Sequence, residues 1–183
     1  MNGKQIPLSF AAFTLKAIDG RLSEIVTDID VFVSQDITRL FNIPGKSVKV
    51  KAIWDTGATS TAISVRLASD LGLIPTGRAT VHGVSRSYDT KTYIVDIGLP
   101  NKILIQSVQV TEAPNLGEYD ALIGMDIITC GDLSITNGSG NTWVSFRYPS
   151  DIFQIDYVQK SNEIMKKKVR REKNKQKPKQ RHR

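Results

Sequence analysis

Ala52-Ile53-Trp54-Asp55-Thr56-Gly57-Ala58-Thr59-Ser60 decides how the rest of the chain is read. An apolar triplet is followed by a carboxylate, a hydroxyl, a glycine and a run of small residues. Just upstream, Val48-Lys49-Val50-Lys51-Ala52 alternates with period two, which predicts a strand with one wet and one buried face. Asp55 therefore stands where a strand leaves a core. Gly57 lets the backbone turn tightly or approach another chain closely. Thr56 can hydrogen-bond across such a turn. An ordinary Asx turn at a strand end has the same composition, so the segment takes its meaning from what surrounds it.

Outward from this stretch the sequence reads as a series of short strands. Residues 8–18 and 22–33 are apolar-rich and joined by Asp19-Gly20, a hairpin signal. Residues 37–43 and 48–54 flank Pro44-Gly45. Further strands are predicted over 79–81, 88–97, 103–110, 121–123, 133–136 and 142–146, punctuated by Gly98, Pro100, Asn101, Pro114, Gly117, Asn137 and Gly138. Residues 62–72 change the rhythm. Ile63, Leu67 and Leu71 recur at helical spacing, and Gly72 sits where a helix stops. A second, short helix is predicted over 125–130. Strands dominating one longer helix imply an all-β barrel or sandwich.

Charge divides the chain. From Lys160 to Arg183 there are 12 Lys/Arg against two acids, a net +10, whereas the other 159 residues hold 13 basic and 16 acidic side chains, a net −3. An acidic body thus carries a basic tail. Beyond Val169 the tail has no large apolar residue, which predicts a solvated, disordered segment with partial helix from a cap at Ser161 or Asn162. Such a tail can meet nucleic acid, membrane or an acidic partner electrostatically. No aromatic residue interleaves its charges, so a base-stacking platform is not supported. A lone cysteine, Cys130, excludes an internal disulfide framework, and two histidines, His82 and His182, argue against a multi-histidine metal centre. Neither a metal nor another cofactor is expected. No apolar run approaches the ~18 residues of a membrane span. The apolar stretch 6–15 is interrupted by Pro7 and Ser9 and lacks a clear cleavage site, so the expected compartment is the cytoplasm.

Asp55-Thr56-Gly57-Ala58-Thr59 behind an apolar strand resembles the active-site loop of retropepsin-like aspartic proteases, in a form that points to a cellular or bacterial member. Ala121-Leu122-Ile123-Gly124, followed by Met125-Asp126-Ile127-Ile128, resembles the family's hydrophobic-hydrophobic-glycine strand and its C-terminal helix. Between them, residues 79–91 look like the flap hairpin, with Gly83 near its tip. The resemblance covers about 35–149. It implies a closed, barrel-like acid-protease fold with a domain over 35–150, between a β-rich extension (1–34) and the basic tail (151–183). It implies Asp55 as the catalytic carboxylate, with Thr56, Gly57 and Ala58 in the active-site loop. Leu122, Ile123 and Gly124 would support that loop, and Val81, His82, Gly83, Val84 and Ser85 would form a substrate-binding flap. Three features depart from retroviral members: Met125 replaces a frequent arginine, the flap has one glycine together with His82 and Arg86, and the helix after the loop is longer.

Peptide hydrolysis of this kind takes two carboxylates around one water, one as general base and one as general acid. The chain has no second Asp-Thr-Gly; Asp96-Ile97-Gly98 comes nearest, but a loop signal follows it. The resemblance therefore implies a homodimer that acts on a peptide or protein substrate, with Asp55 of a second copy completing the pair. The alternative is a catalytically weak or inactive dimer of the same fold that binds peptides or serves assembly, with the tail on nucleic acid.

Overall fold

The computed structural model describes residues 11–17, 20–83, 87–151 and 154–175. In chain order the elements are β1 (Ala11–Lys16), β2 (Val26–Val33), α1 (Gln35–Phe41), β3 (Ser47–Trp54), β4 (Ala62–Ser64), α2 (Val65–Leu71), β5 (Gly77–His82), β6 (Ser87–Leu99), β7 (Ile103–Ala113), β8 (Ala121–Ile123), α3 (Met125–Ile128), β9 (Asp132–Thr136), β10 (Trp143–Tyr148) and α4 (Tyr157–Lys175). Two compact units divide the chain after Asp151, and α4 lies in the second.

Six strands close on themselves in the order β2-β3-β8-β4-β7-β6, with β6 returning to β2. This is the closed all-β barrel that the strand-rich sequence leads one to expect. Closure depends on β2, whose alternating Thr27, Ile29, Val31 and Val33 are buried. Val31 lies opposite Val48 of β3 on one side and Ile97 of β6 on the other. The segment ahead of residue 35 thus supplies a barrel strand. Ile29, Val31, Ile63, Val95, Ile97, Val110 and Ile123 fill the interior with almost no exposed surface. Each such burial contributes roughly 1.5–3 kcal/mol.

A separate three-stranded sheet, β1-β10-β9, brings Phe13 and Phe146 against Trp54, with ring centroids 5.1–5.9 Å apart. Trp54 is buried and its indole N–H donates to Thr27 Oγ1 at 2.9 Å. It therefore fills the core next to Asp55.

Four local expectations change. Residues 37–43 form no strand: Ser34 caps α1 by accepting from Asp36 N, Asp36 favours the first turn, and Asn42 ends the helix in the left-handed region. Residues 8–18 and 22–33 do not pair as a hairpin. β1 runs antiparallel to β10, and Gly20 bonds to Asn141 and Thr142 on the approach to that strand. Residues 8–10 and 18–19 lie outside the described residues. The 62–72 segment divides, because Ala62–Ser64 is a strand and the Ser64 hydroxyl then caps α2 at Leu67 N, with Gly72 in the left-handed position at its end. The tail helix begins earlier than expected, since Asp156 Oδ1 accepts from Val158 N and Gln159 N. Residues 176–183 lie outside the description.

Where β9 meets β10, the Asp132 carboxylate accepts from Ser150 Oγ, from Arg147 and from Asp151 N. These bonds, the Ser150 hydroxyl foremost, hold its pKa down at about 2. A carboxyl depressed in the fold stabilises it above the unfolded value of ~3.9 and loses that contribution as pH falls through the folded value. Asp132→Asn is expected to melt below wild type at neutral pH, with the gap in Tm narrowing between about pH 4 and pH 2 in calorimetry. A constant gap across that range would show that the charge is immaterial.

Candidate active site

β3 delivers Asp55 to the rim of the barrel. Trp54 N donates to Ile25 O at 2.8 Å, and the next amide, Asp55 N, donates to Ile123 O at 2.9 Å. The strand is thus held on both sides up to the residue where it turns. β8 runs parallel to β3 with Ile53 opposite Leu122 and Trp54 opposite Ile123. Ala52, Ala121 and Ile123 are fully buried at this seam.

The loop then folds on its own carboxylate. Gly57 N donates to Asp55 Oδ1 at 2.8 Å and Ala58 N donates to Asp55 O at 3.2 Å. A Cβ at Gly57 would lie 3.1 Å from Asp55 Oδ1, so glycine keeps the carboxylate close to the backbone. Among the described residues, Asp55 Oδ2 has no hydrogen-bond partner, and Thr56 is exposed with no side-chain hydrogen bond. The bond across the turn thus comes from the carboxylate rather than the Thr56 hydroxyl. Asp55 is half-buried, and Thr56 and Gly57 face solvent.

Behind this tip the chain crosses itself at close range. A Cβ on Gly124 would sit 2.6–2.9 Å from Ser60 C, Ser60 O and Thr61 N. Only glycine fits such a backbone-to-backbone contact. Gly124 N donates to Thr61 Oγ1 at 3.1 Å, Met125 N to Ala58 O at 2.8 Å and Asp126 N to Thr59 O at 3.2 Å. The Asp126 carboxylate completes the brace by accepting from Thr61 N at 2.9 Å and from Thr61 Oγ1 at 2.7 Å. Its Oδ1 also accepts from Ile127 N. Met125 stands where retroviral members often carry arginine, and in this chain its neighbour Asp126 supplies the polar tie. Sequence reasoning placed Asp126 only within the short helix after Gly124 and did not single out Thr61. The two are 65 positions apart, and no local pattern links them.

The Asp96 carboxylate is tied to backbone donors. It is buried within β6, where Oδ1 accepts from Ser107 N at 2.8 Å and Oδ2 from Gln35 N at 3.2 Å. It satisfies backbone donors beside a register shift between β6 and β7.

β5 and β6 form an antiparallel hairpin from Gly77 opposite Thr92 to His82 opposite Ser87. Val81, His82 and Gly83 lie at its described end; Val84, Ser85 and Arg86 lie outside the described residues. His82 Nδ1 and Ser87 Oγ are 2.7 Å apart, and Thr80 Oγ1 donates to Asp89 Oδ1. No hydrogen bond among the described residues joins this hairpin to the Asp55 loop. Cys130 is exposed and its thiol donates to Asp126 O, one turn back in the chain.

The brace gives a direct test. Gly124→Ala must push two backbones apart and is expected to cost about 2–4 kcal/mol, read as a lower urea midpoint. Asp126→Asn keeps the shape and one acceptor, and is expected to cost about 1–2 kcal/mol. Equal stability of all three proteins would contradict the contact.

Residues 41–129 match a family model described as "gag-polyprotein putative aspartyl protease". No curated protein matches the chain. Among solved structures, a retropepsin-like aspartic protease from Rickettsia conorii is similar over 77% of this chain and 98% of its own, at 12% identity and a TM-score of 0.45. The simian foamy virus protease is similar over 56% of this chain and 91% of its own, at 16% identity and a TM-score of 0.35. The retroviral protease-like domain of Ddi1 from Leishmania major covers 58% of this chain and 78% of its own, at 19% identity and a TM-score of 0.35. The matched stretch runs through the Asp55 loop and the glycine that braces it, and over those residues the chain is similar to the gag-type aspartyl proteases.

Proposed function

We propose that the protein is a homodimeric aspartic endopeptidase whose reactive pair consists of Asp55 from each of two copies. The observation that carries this reading is a solitary carboxylate, half-exposed at the tip of a rigidly braced loop. Asp96, the nearest sequence counterpart, is consumed by backbone donors. A twofold axis at the loop tip would bring the exposed Thr56 and Gly57 of one protomer against the same residues of its partner.

Two carboxylates about 3 Å apart repel by roughly 5 kcal/mol at an effective dielectric of ~20, so the pair retains one proton. Asp55 in its ionised form takes a proton from the bound water as the water oxygen attacks the peptide carbonyl carbon. Asp55 of the partner subunit, in its acid form, donates its proton to the carbonyl oxygen. The tetrahedral diol then collapses: Asp55 passes the proton it took from water to the departing nitrogen as the C–N bond breaks, and Asp55 of the partner subunit takes up a diol hydroxyl proton as the carbonyl re-forms. Neither a metal nor a cofactor enters these steps. The loop bonds from Ile123 O and Gly57 N pre-set the carboxylate's position, which lowers the reorganisation required during reaction.

The β5–β6 hairpin is the natural cover for a bound peptide, with Val81, His82, Gly83, Val84 and Ser85 as its contacts. A hairpin over an extended peptide can add main-chain hydrogen bonds and exclude water. The substrate class is accordingly an extended peptide or protein segment. The proposed compartment is the cytoplasm, where the exposed Cys130 thiol would stay reduced.

Asp55→Asn is expected to abolish peptide-library cleavage by a factor of at least about 10³ while leaving the dimer intact in sedimentation. Mixing provides the sharper test. After subunit exchange between wild type and Asp55→Asn, activity should follow the square of the wild-type fraction, because a hybrid dimer lacks one partner of the pair. A linear dependence would show that each chain works alone.

A further inference from the structure

We infer that α4 is a docking surface for an anionic lipid bilayer. It is a 19-residue helix whose N-terminus is capped within its own unit by Asp156. At 100° per residue, Tyr157, Val158, Ile164, Met165 and Val169 fall within one sector of its surface. All five are exposed, from 46% for Val169 to 72% for Val158. The opposite sector carries Lys160, Lys166, Lys167, Arg170, Arg171 and Lys173, with Glu163 as its acid. Lys168 and Glu172 also fall inside the apolar sector; the long Lys168 stem can reach outward to a headgroup, and Glu172 lies in the last turns of the helix, past Ile164 and Met165.

This combination selects the occupant. The cations match a negatively charged surface, and the apolar sector calls for a partner with hydrocarbon just beneath that charge. A bilayer of anionic lipid supplies both, and helices of this pattern lie in the interfacial plane. Nucleic acid would account for the cations but leaves the exposed Ile164 and Met165 without a role. No helix among the described residues is long and apolar enough to cross a membrane, so α4 would lie along the surface. Lys177, Lys179, Arg181 and Arg183 add four more cations to the sequence beyond it.

The test uses the full chain with vesicles of phosphatidylcholine alone and of phosphatidylcholine containing about 30% phosphatidylserine. Sedimentation is expected to show about tenfold or greater preference for the anionic vesicles, weakening as salt is raised. Ile164→Ser with Met165→Ser retains every charge and is expected to reduce binding about tenfold. Lys166→Gln with Lys167→Gln and Arg170→Gln should do the same through the other face. In Tyr157→Trp, vesicle addition should shift the new emission to the blue. Failure to bind either vesicle overturns the inference. So does binding that ignores the Ile164/Met165 change, or retention of duplex DNA or single-stranded RNA by a chain that leaves anionic vesicles unbound.

Discussion

The approach of Gly124 to the Ser60–Thr61 peptide is the contact on which the site depends. Two chain segments pass with no room for a single carbon atom between them. The close passage lets Thr61 Oγ1 accept from Gly124 N while it donates to Asp126, so one hydroxyl serves both strands. With that crossing fixed, Ile123 O falls within reach of Asp55 N, and the carboxylate inherits the rigidity of the barrel. Loops generally carry function by standing on a rigid scaffold. Here the scaffold reaches to Asp55 itself.

The same economy appears in how the chain uses its acids. Asp96, Asp126 and Asp132 all serve as acceptors for backbone or side-chain donors. Asp120 receives Ser64 Oγ and the Arg66 guanidinium at the start of α2. Burial pushes the Asp120 carboxyl up, but Arg66 and Ser64 outweigh that and leave it below the usual range. Asp55 differs from these in keeping one oxygen without a protein partner among the described residues. An oxygen left open at the tip of a braced loop is what the proposed general-base chemistry would use.

The barrel and the loop were legible in the sequence where the signal is local. Lys49 and Lys51 alternate with Val48 and Val50, and that period appears directly in the burial of β3. Asp55-Thr56-Gly57 and Leu122-Ile123-Gly124 could be read by type and order because each is a contiguous run. The failures have a common physical origin in short segments and distant partners. Ile37, Leu40, Phe41 and Ile43 are too few to display a period, and the caps at Ser34 and Asn42 decide in favour of a helix. Asp19-Gly20 signals a turn without naming what the strands on either side will pair with. β1 chose β10, more than 130 residues later for Phe13 and Phe146. Thr61 was invisible for the same reason, since its worth lies in a carboxylate on another element.

The place of β2 in the ring carries a consequence for how the molecule can be divided. The stretch matching the family model begins at residue 41, after this strand has ended. A fragment cut to that stretch would lose the staple between β3 and β6 and leave both with bare amide and carbonyl rows. Unsatisfied rows of that kind recruit other chains. The matched stretch therefore falls one strand short of the closed ring.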